Sequence, residues 1–208
     1  MGLAMYHQIE ERIVHGAERP ITFEEFLSLN VLNDMDLIQG VMIQKMAAQL
    51  EHETLFAWLF WLLYGYVRQK KLGYVGGSRT AVEINEFHGR LPDLLYVRQE
   101  RENIIRQKAI YGAPDLVVEL ISPNDRPTDI SGLEVDYRNI GVEEMVFVDQ
   151  QKRHVLILHK RENGYNRTEL TSGELALKTV PGFVLQIEWL FADPRPDELN
   201  LLNTLLNA

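Results

Sequence analysis

The chain of 208 residues contains no cysteine. Disulfides, thiolate nucleophiles and cysteine-ligated zinc are therefore excluded. Basic residues are in the minority: 21 lysines and arginines face 30 aspartates and glutamates, for a formal net charge of −9. An acidic balance argues against strong non-specific attraction to nucleic acid, while leaving room for a local basic groove. Long apolar runs are missing too. The most apolar stretch, Leu55 to Tyr66, falls short of the roughly 20 residues that a membrane-crossing helix needs. The first residues show no charged segment followed by an apolar core, so no secretory signal is expected and a cytoplasmic protein is. No internal repeat or low-complexity tract is present. At 46% hydrophobic and 25% charged, the composition is that of a globular chain with one well-filled core.

The most informative stretch runs from Gly112 to Ser122. Between Pro114 and Pro123, the run Leu116-Val117-Val118-Glu119-Leu120-Ile121 has the length and β-branched content of a strand buried on both faces. A glutamate inside such a strand is costly unless it is paired, protonated or bound to a metal. Glu119 is thus the first candidate for chemistry. The plain alternative is a glutamate at the strand's end with its head in water.

Residues 1–20 are polar and aperiodic, end in Arg19-Pro20, and read as a loose arm or short helix. Thr22 and Glu25 form a capping box that opens a short helix over Phe23 to Leu29. Asp36 to Lys45 alternates about Gln39-Gly40 as two short strands. Ala47 to Lys71 carries apolar residues at three- and four-residue spacings and is the clearest helix, with Gly73 just past its end. Trp58 and Trp61 share that spacing and are read as packing residues rather than stacking platforms for bases. Tyr74 to Ile84 is expected as one strand; its glycines 76 and 77 do not open a helix, which excludes a phosphate loop.

Asn85 to Arg90 reads as a turn and Leu91 to Val97 as a further strand. Arg98 to Lys108 reads as a solvated helix or loop. A helix over Asp125 to Asn139 is stopped by Gly141. Glu144 to Asp149 and Val155 to His159 form a hairpin, followed by weaker β segments at Tyr165 to Thr171 and Leu175 to Lys178. An amphipathic helix runs from Glu198 to Leu206. This order predicts an α/β fold, a central mixed β-sheet flanked by helices, with an N-terminal hairpin and a C-terminal helix. Residues 21–195 are expected to form a single domain, between the arm 1–20 and a terminal helix at 196–208.

Asp93 at the start of one strand and Glu119 in another converge on one point if those strands are neighbours. Two carboxylates with waters and a substrate phosphate suit magnesium, and a cation held there activates water at a phosphodiester.

Leu91-Pro92-Asp93 and the run Pro114 to Pro123 resemble the Uma-two family of restriction endonucleases, a branch of the PD-(D/E)XK nuclease superfamily. Thr22 to Leu27 resembles its opening helix and Asp36-Leu37-Ile38-Gln39-Gly40 its hairpin. Glu51-His52 is similar to the start of its long helix, Gly141-Val142 with Glu144 and Val148-Asp149 to its later strand, and Pro181-Gly182-Phe183 to a segment near its end. The resemblance covers roughly residues 21 to 191 and implies a restriction-endonuclease-like fold. It implies Asp93 and Glu119 as ligands of Mg2+ or Mn2+, Asp36 as an assisting acid one methylene shorter than the usual glutamate, and His52 at the mouth of the site. DNA is the implied substrate and a homodimer the expected assembly.

The resemblance also exposes a departure. Where family members carry a lysine on the helix after the Glu119 strand, four residues before Tyr137, this chain has Leu133, and Ile121 occupies the superfamily's more usual lysine position. A cation of that kind is worth about 10²–10³ in rate. Lys45 and Arg126 are the nearby cations to look to. Two other readings stay open: a catalytically silent binding or assembly protein on the same scaffold, and a hydrolase using the two carboxylates as an acid–base pair on a sugar.

Overall fold

The structure, a computed structural model, describes residues 13–15, 19–29, 35–45, 49–77, 79–123 and 125–208. Most of the arm expected over residues 1–20, namely 1–12 and 16–18, lies outside them, as do positions 47 and 48 of the helix expected over Ala47 to Lys71. Within the expected arm, Ile13–His15 is instead a strand. The early strands are β1 (Ile13–His15), β2 (Met35–Ile38), β3 (Val41–Gln44), β4 (Gly73–Gly77), β5 (Ala81–Asn85), β6 (His88–Arg90) and β7 (Leu94–Arg98). After them come β8 (Ala109–Tyr111), β9 (Leu116–Ile121), β10 (Glu144–Asp149), β11 (His154–Arg161), β12 (Gly164–Leu170), β13 (Glu174–Ala176) and β14 (Val184–Gln186). The helices are α1 (Phe23–Ser28), α2 (Leu50–Lys70), α3 (Pro127–Ile140), α4 (Ile187–Leu190) and α5 (Glu198–Asn207).

Two mixed sheets result. One has the order β1-β3-β2-β6-β5-β8 and the other β12-β11-β10-β9-β7-β4; β13 and β14 pair separately. In the second sheet β9 and β10 run parallel, with α3 as the crossover between them, while β7 lies antiparallel to β9. The alternation of β9 divides its side chains. Leu116, Val118 and Leu120 join the core under α2, against Leu55, Leu59 and Leu62; Val117 and Ile121 join the core under α3, around Tyr137. Each such buried aliphatic side chain contributes about 1.5–3 kcal/mol relative to exposure. Glu119 therefore points to the α3 face. The leucines of α5, Leu201, Leu202 and Leu205, pack into the α2 core, and Gly65 of α2 leaves the space that Leu202 fills.

The capping box of α1 forms as read, with Thr22 Oγ1 accepting from the Glu25 amide. The hairpin turns at Gln39 and Gly40, both with positive φ, as a two-residue connection demands. Other elements differ from expectation. The left-handed cap of α2 is Lys71, not Gly73; Gly73 instead opens β4 with Val97's carbonyl packed where a side chain would stand. The single strand expected over Tyr74 to Ile84 is two, β4 and β5, in different sheets. The Thr80 amide donates to the Gly77 carbonyl and turns the chain between them. Within Asn85 to Arg90, read as a turn, His88–Arg90 forms β6. Trp58 is buried as expected, whereas Trp61 is 42% exposed. Of the stretch Arg98 to Lys108, Gln99–Ile104 forms a 3-10 turn. Arg98 and Arg101 there both donate to Asp115, which is fully buried.

Candidate active site

β7 and β9 pair with Leu94 opposite Val118. One step further along that register sets Asp93 across from Glu119. The Asp93 carboxylate reaches over the ladder and accepts from the Leu120 amide at 2.8 Å. Both acids are buried, Asp93 at 5% exposure and Glu119 at 3%. Their mutual repulsion is felt directly. Glu119 is pushed up to about 8, first by burial and then by the charge of Asp93. Burial pulls Asp93 in the same direction, but His52, Lys45 and the Leu120 amide outweigh it and hold Asp93 below its ordinary value.

Asp115, Glu144 and Asp149 are also buried in or beside the second sheet, and they are treated differently. Asp149 accepts from the amide and the ammonium of Lys152. Asp115 accepts from the Arg98 amide and from two guanidinium groups. Glu144 accepts from His159, the amides of Lys178 and Thr179, and the Thr179 hydroxyl. Glu119 accepts, among the described residues, only from the Tyr137 hydroxyl, at 2.5 Å. Burial and the neighbouring Glu119 keep that phenol protonated, well above its ordinary range. Donor-rich carboxylates are structural anchors; a buried one with a single donor calls for a proton, a water or an ion.

The remaining candidates fall around this pair. His52, in the first turn of α2, is buried rather than at an open mouth, and its Nε2 lies 3.3 Å from Asp93 Oδ2. Its Nδ1 lies 3.3 Å from Glu53 Oε1. Burial disfavours the imidazolium, but Asp93 and Glu53 prevail and raise it above its ordinary value. Asp36 is in the same quarter with both oxygens taken: Oδ1 accepts from the Leu91 amide at 3.0 Å and Oδ2 from Arg90 at 2.9 Å. Arg90 also donates through Nε to Asp136 at 2.7 Å. The hairpin is thereby clamped to α3 beside Tyr137. Arg90 and Asp136 were not singled out in the sequence; the only local signals are an arginine just before Leu91-Pro92-Asp93 and an aspartate just before Tyr137.

Of the two cations considered, Lys45 enters the site. Its Nζ donates to the Leu91 carbonyl at 2.8 Å and stands 3.9 Å from Asp93 Oδ1. Burial alone would lower the ammonium, but Asp93, Glu119, Asp36 and Asp125 outweigh it and keep it charged. Arg126 is engaged with Asp129 through two hydrogen bonds of 2.9 Å. Ile121 and Leu133 both pack into the apolar cluster around Tyr137.

A profile of the Uma2 family, described as "Putative restriction endonuclease", matches residues 23–188. The chain belongs to the Uma2 family. Among solved structures, an Anabaena variabilis protein described as "a putative nuclease belonging to DUF820" superposes with a TM-score of 0.69 at 19% identity. The match covers 83% of this chain and 98% of the Anabaena chain, and it shows a shared fold. None of the proteins with curated descriptions matches. The Uma2 assignment agrees with the α/β architecture of mixed sheets flanked by helices. No helix among the described residues is long and apolar enough to cross a membrane.

Proposed function

We propose that this Uma2 protein hydrolyses phosphodiester bonds of DNA, using a divalent cation held by Asp93 and Glu119. The observation that carries the reading is the pairing of these two buried carboxylates, one of them with a single hydrogen-bond donor and a pKa pushed up to about 8. The donor set suits a hard cation, since Mg2+ commonly binds one or two carboxylates and completes its shell with waters and substrate phosphate. Among the described residues no group of three or more His, Cys, Asp or Glu is placed to hold a metal ion, so Asp93 and Glu119 are the whole of the protein ligand set proposed here. When bound, Mg2+ or Mn2+ polarises the phosphodiester and lowers the pKa of water.

The chain's own residues then have separable tasks. Asp93 and Glu119 supply the ligand oxygens. His52 and the Leu120 amide fix the rotamer of Asp93, and Tyr137 fixes that of Glu119. Asp36 acts through Arg90 and the Leu91 amide as a positioning residue for the segment leading to Asp93. In net terms, water adds to phosphorus and the bond to the leaving sugar oxygen breaks. The water's proton goes to solvent and the leaving oxygen takes one up. A homodimer and a cytoplasmic setting accompany this reading.

The test is nicking of supercoiled DNA with added Mg2+ or Mn2+. Wild-type protein is expected to nick only with the cation, and Asp93→Ala and Glu119→Ala are each expected to lose at least about 10²-fold. Cation-independent nicking, or full activity in either variant, would sink the proposal. The apolar residues at 121 and 133 favour a second reading, a silent binding or assembly scaffold in which Asp93 and Glu119 serve only as hydrogen-bonding residues; it expects no divalent binding in the millimolar range and no nicking.

A further inference from the structure

We propose, resting on the hydrolytic reading above, that Lys45 is the residue that places positive charge on the scissile phosphate. The local cations differ in how they are committed. Arg90 is buried between Asp36 and Asp136, and its guanidinium bonds to both. Arg126 is held to Asp129. Helix α3 presents Leu133, one turn before Tyr137, packed into an apolar cluster. The Lys45 side chain is 31% exposed, whereas that of Asp93 beside it is 8% exposed. The lysine side chain is thus the more accessible partner of this pair, and its ammonium stands beside the carboxylates that an incoming phosphate would approach.

The head is also held in place. Lys45 Nζ donates to the carbonyl of Leu91, and the amide of that same residue donates to Asp36 on β2. The hairpin thus grips the Leu91-Pro92-Asp93 segment on both sides and fixes the ammonium relative to Asp93. An ammonium has three N–H donors. Among the described residues only the Leu91 carbonyl lies within hydrogen-bond distance of this one; Asp93 Oδ1, at 3.9 Å, is too far. Donor capacity therefore remains for a phosphate oxygen at the carboxylate pair. As water adds, negative charge grows on the non-bridging oxygens, and a prepositioned cation favours that state over the ground state. Lys45 stays an ammonium throughout and transfers no proton. Before substrate arrives, the same charge offsets the crowding of Asp93, Glu119, Asp36 and Asp125.

The experiment pairs plasmid nicking in Mn2+ with calorimetric titration of Mn2+ into the same preparations. Lys45→Met is expected to nick about 10²-fold more slowly while binding Mn2+ at least as tightly, since a like charge beside the ion has gone. Lys45→Arg should retain more activity than Lys45→Met, and adding Leu133→Lys to Lys45→Met should restore part of the loss. Lys45→Gln, which keeps a donor for the Leu91 carbonyl, is run alongside in case methionine unsettles the hairpin. Wild-type nicking that Lys45→Met and Lys45→Gln leave unchanged overturns this inference alone. So does loss of Mn2+ binding together with nicking, which would make the lysine structural. A wild-type protein that binds Mn2+ and never nicks overturns the hydrolytic reading beneath it.

Discussion

At the scale of single residues, Glu119 differs from the other buried acids of its sheet in what surrounds it. Asp115 and Glu144 each take several donors and behave as anchors; Glu119 takes one hydroxyl and faces another carboxylate. Its raised pKa has a definite sign in solution. Between its ordinary value of 4.5 and about 8, the cation-free folded protein keeps a proton that the unfolded chain has released. Stability contributed by this group should therefore fall as pH rises through that window. Asp93, held low, contributes in the opposite sense: its stabilisation is present above the ordinary aspartate range and lost as pH falls through its lowered value. A cation must displace the Glu119 proton, so binding of Mn2+ at pH 7 should release close to one proton per ion. Calorimetry in two buffers of different ionisation enthalpy measures this, and zero release would contradict it. Glu119 stood out in the sequence because a carboxylate in an apolar run carries an obvious cost, whereas Asp93, following Pro92 at a strand's start, took its weight from the family resemblance. The ion pair between Arg90 and Asp136 was not, because its members lie 46 positions apart and nothing local announces the contact.

Elements position these residues through two close fits. The hairpin β2–β3 carries Asp36 and leads to Lys45, and β2 pairs with β6 where Leu37 faces Gly89. The ring of Phe23 from α1 occupies the space above Gly89, where any side chain would press into it. Gly89→Ala is accordingly expected to destabilise by about 2 kcal/mol through overpacking, lowering Tm by about 4–8 °C in a chain of this size. Thermal melting followed by circular dichroism checks the shift, and an unchanged Tm would show that α1 is not seated there. The hairpin, α2 and α3 were readable because turn glycines and three- and four-residue spacing are local signals. The polar run from Gly76 to Thr80 is a local break signal, but nothing local says that the strands on either side of it join different sheets. The capping of α2 by Lys71 rather than by glycine was hidden too, since a lysine in the left-handed conformation has no sequence signature.

For the whole molecule, the decisive feature is which strands become neighbours. The chain order permits many sheets, and the antiparallel pairing of β7 with β9 is what sets Asp93 across from Glu119. Apolar periodicity cannot specify that pairing; the resemblance to the Uma2 family implied it, and the family match over residues 23–188 places the chain there. The departure at Leu133 was visible at once, and Lys45 and Arg126 were the cations to look to, but the sequence does not choose between them. Only the folded hairpin shows that Lys45 comes within 3.9 Å of Asp93. The central claim is that these two acids form one seat for a dication. Electron paramagnetic resonance can count the Mn2+ bound by wild-type, Asp93→Asn and Glu119→Gln proteins. One ion per wild-type chain and none in either variant is the predicted result; an ion retained in both variants, or none bound by wild type at millimolar Mn2+, would contradict it.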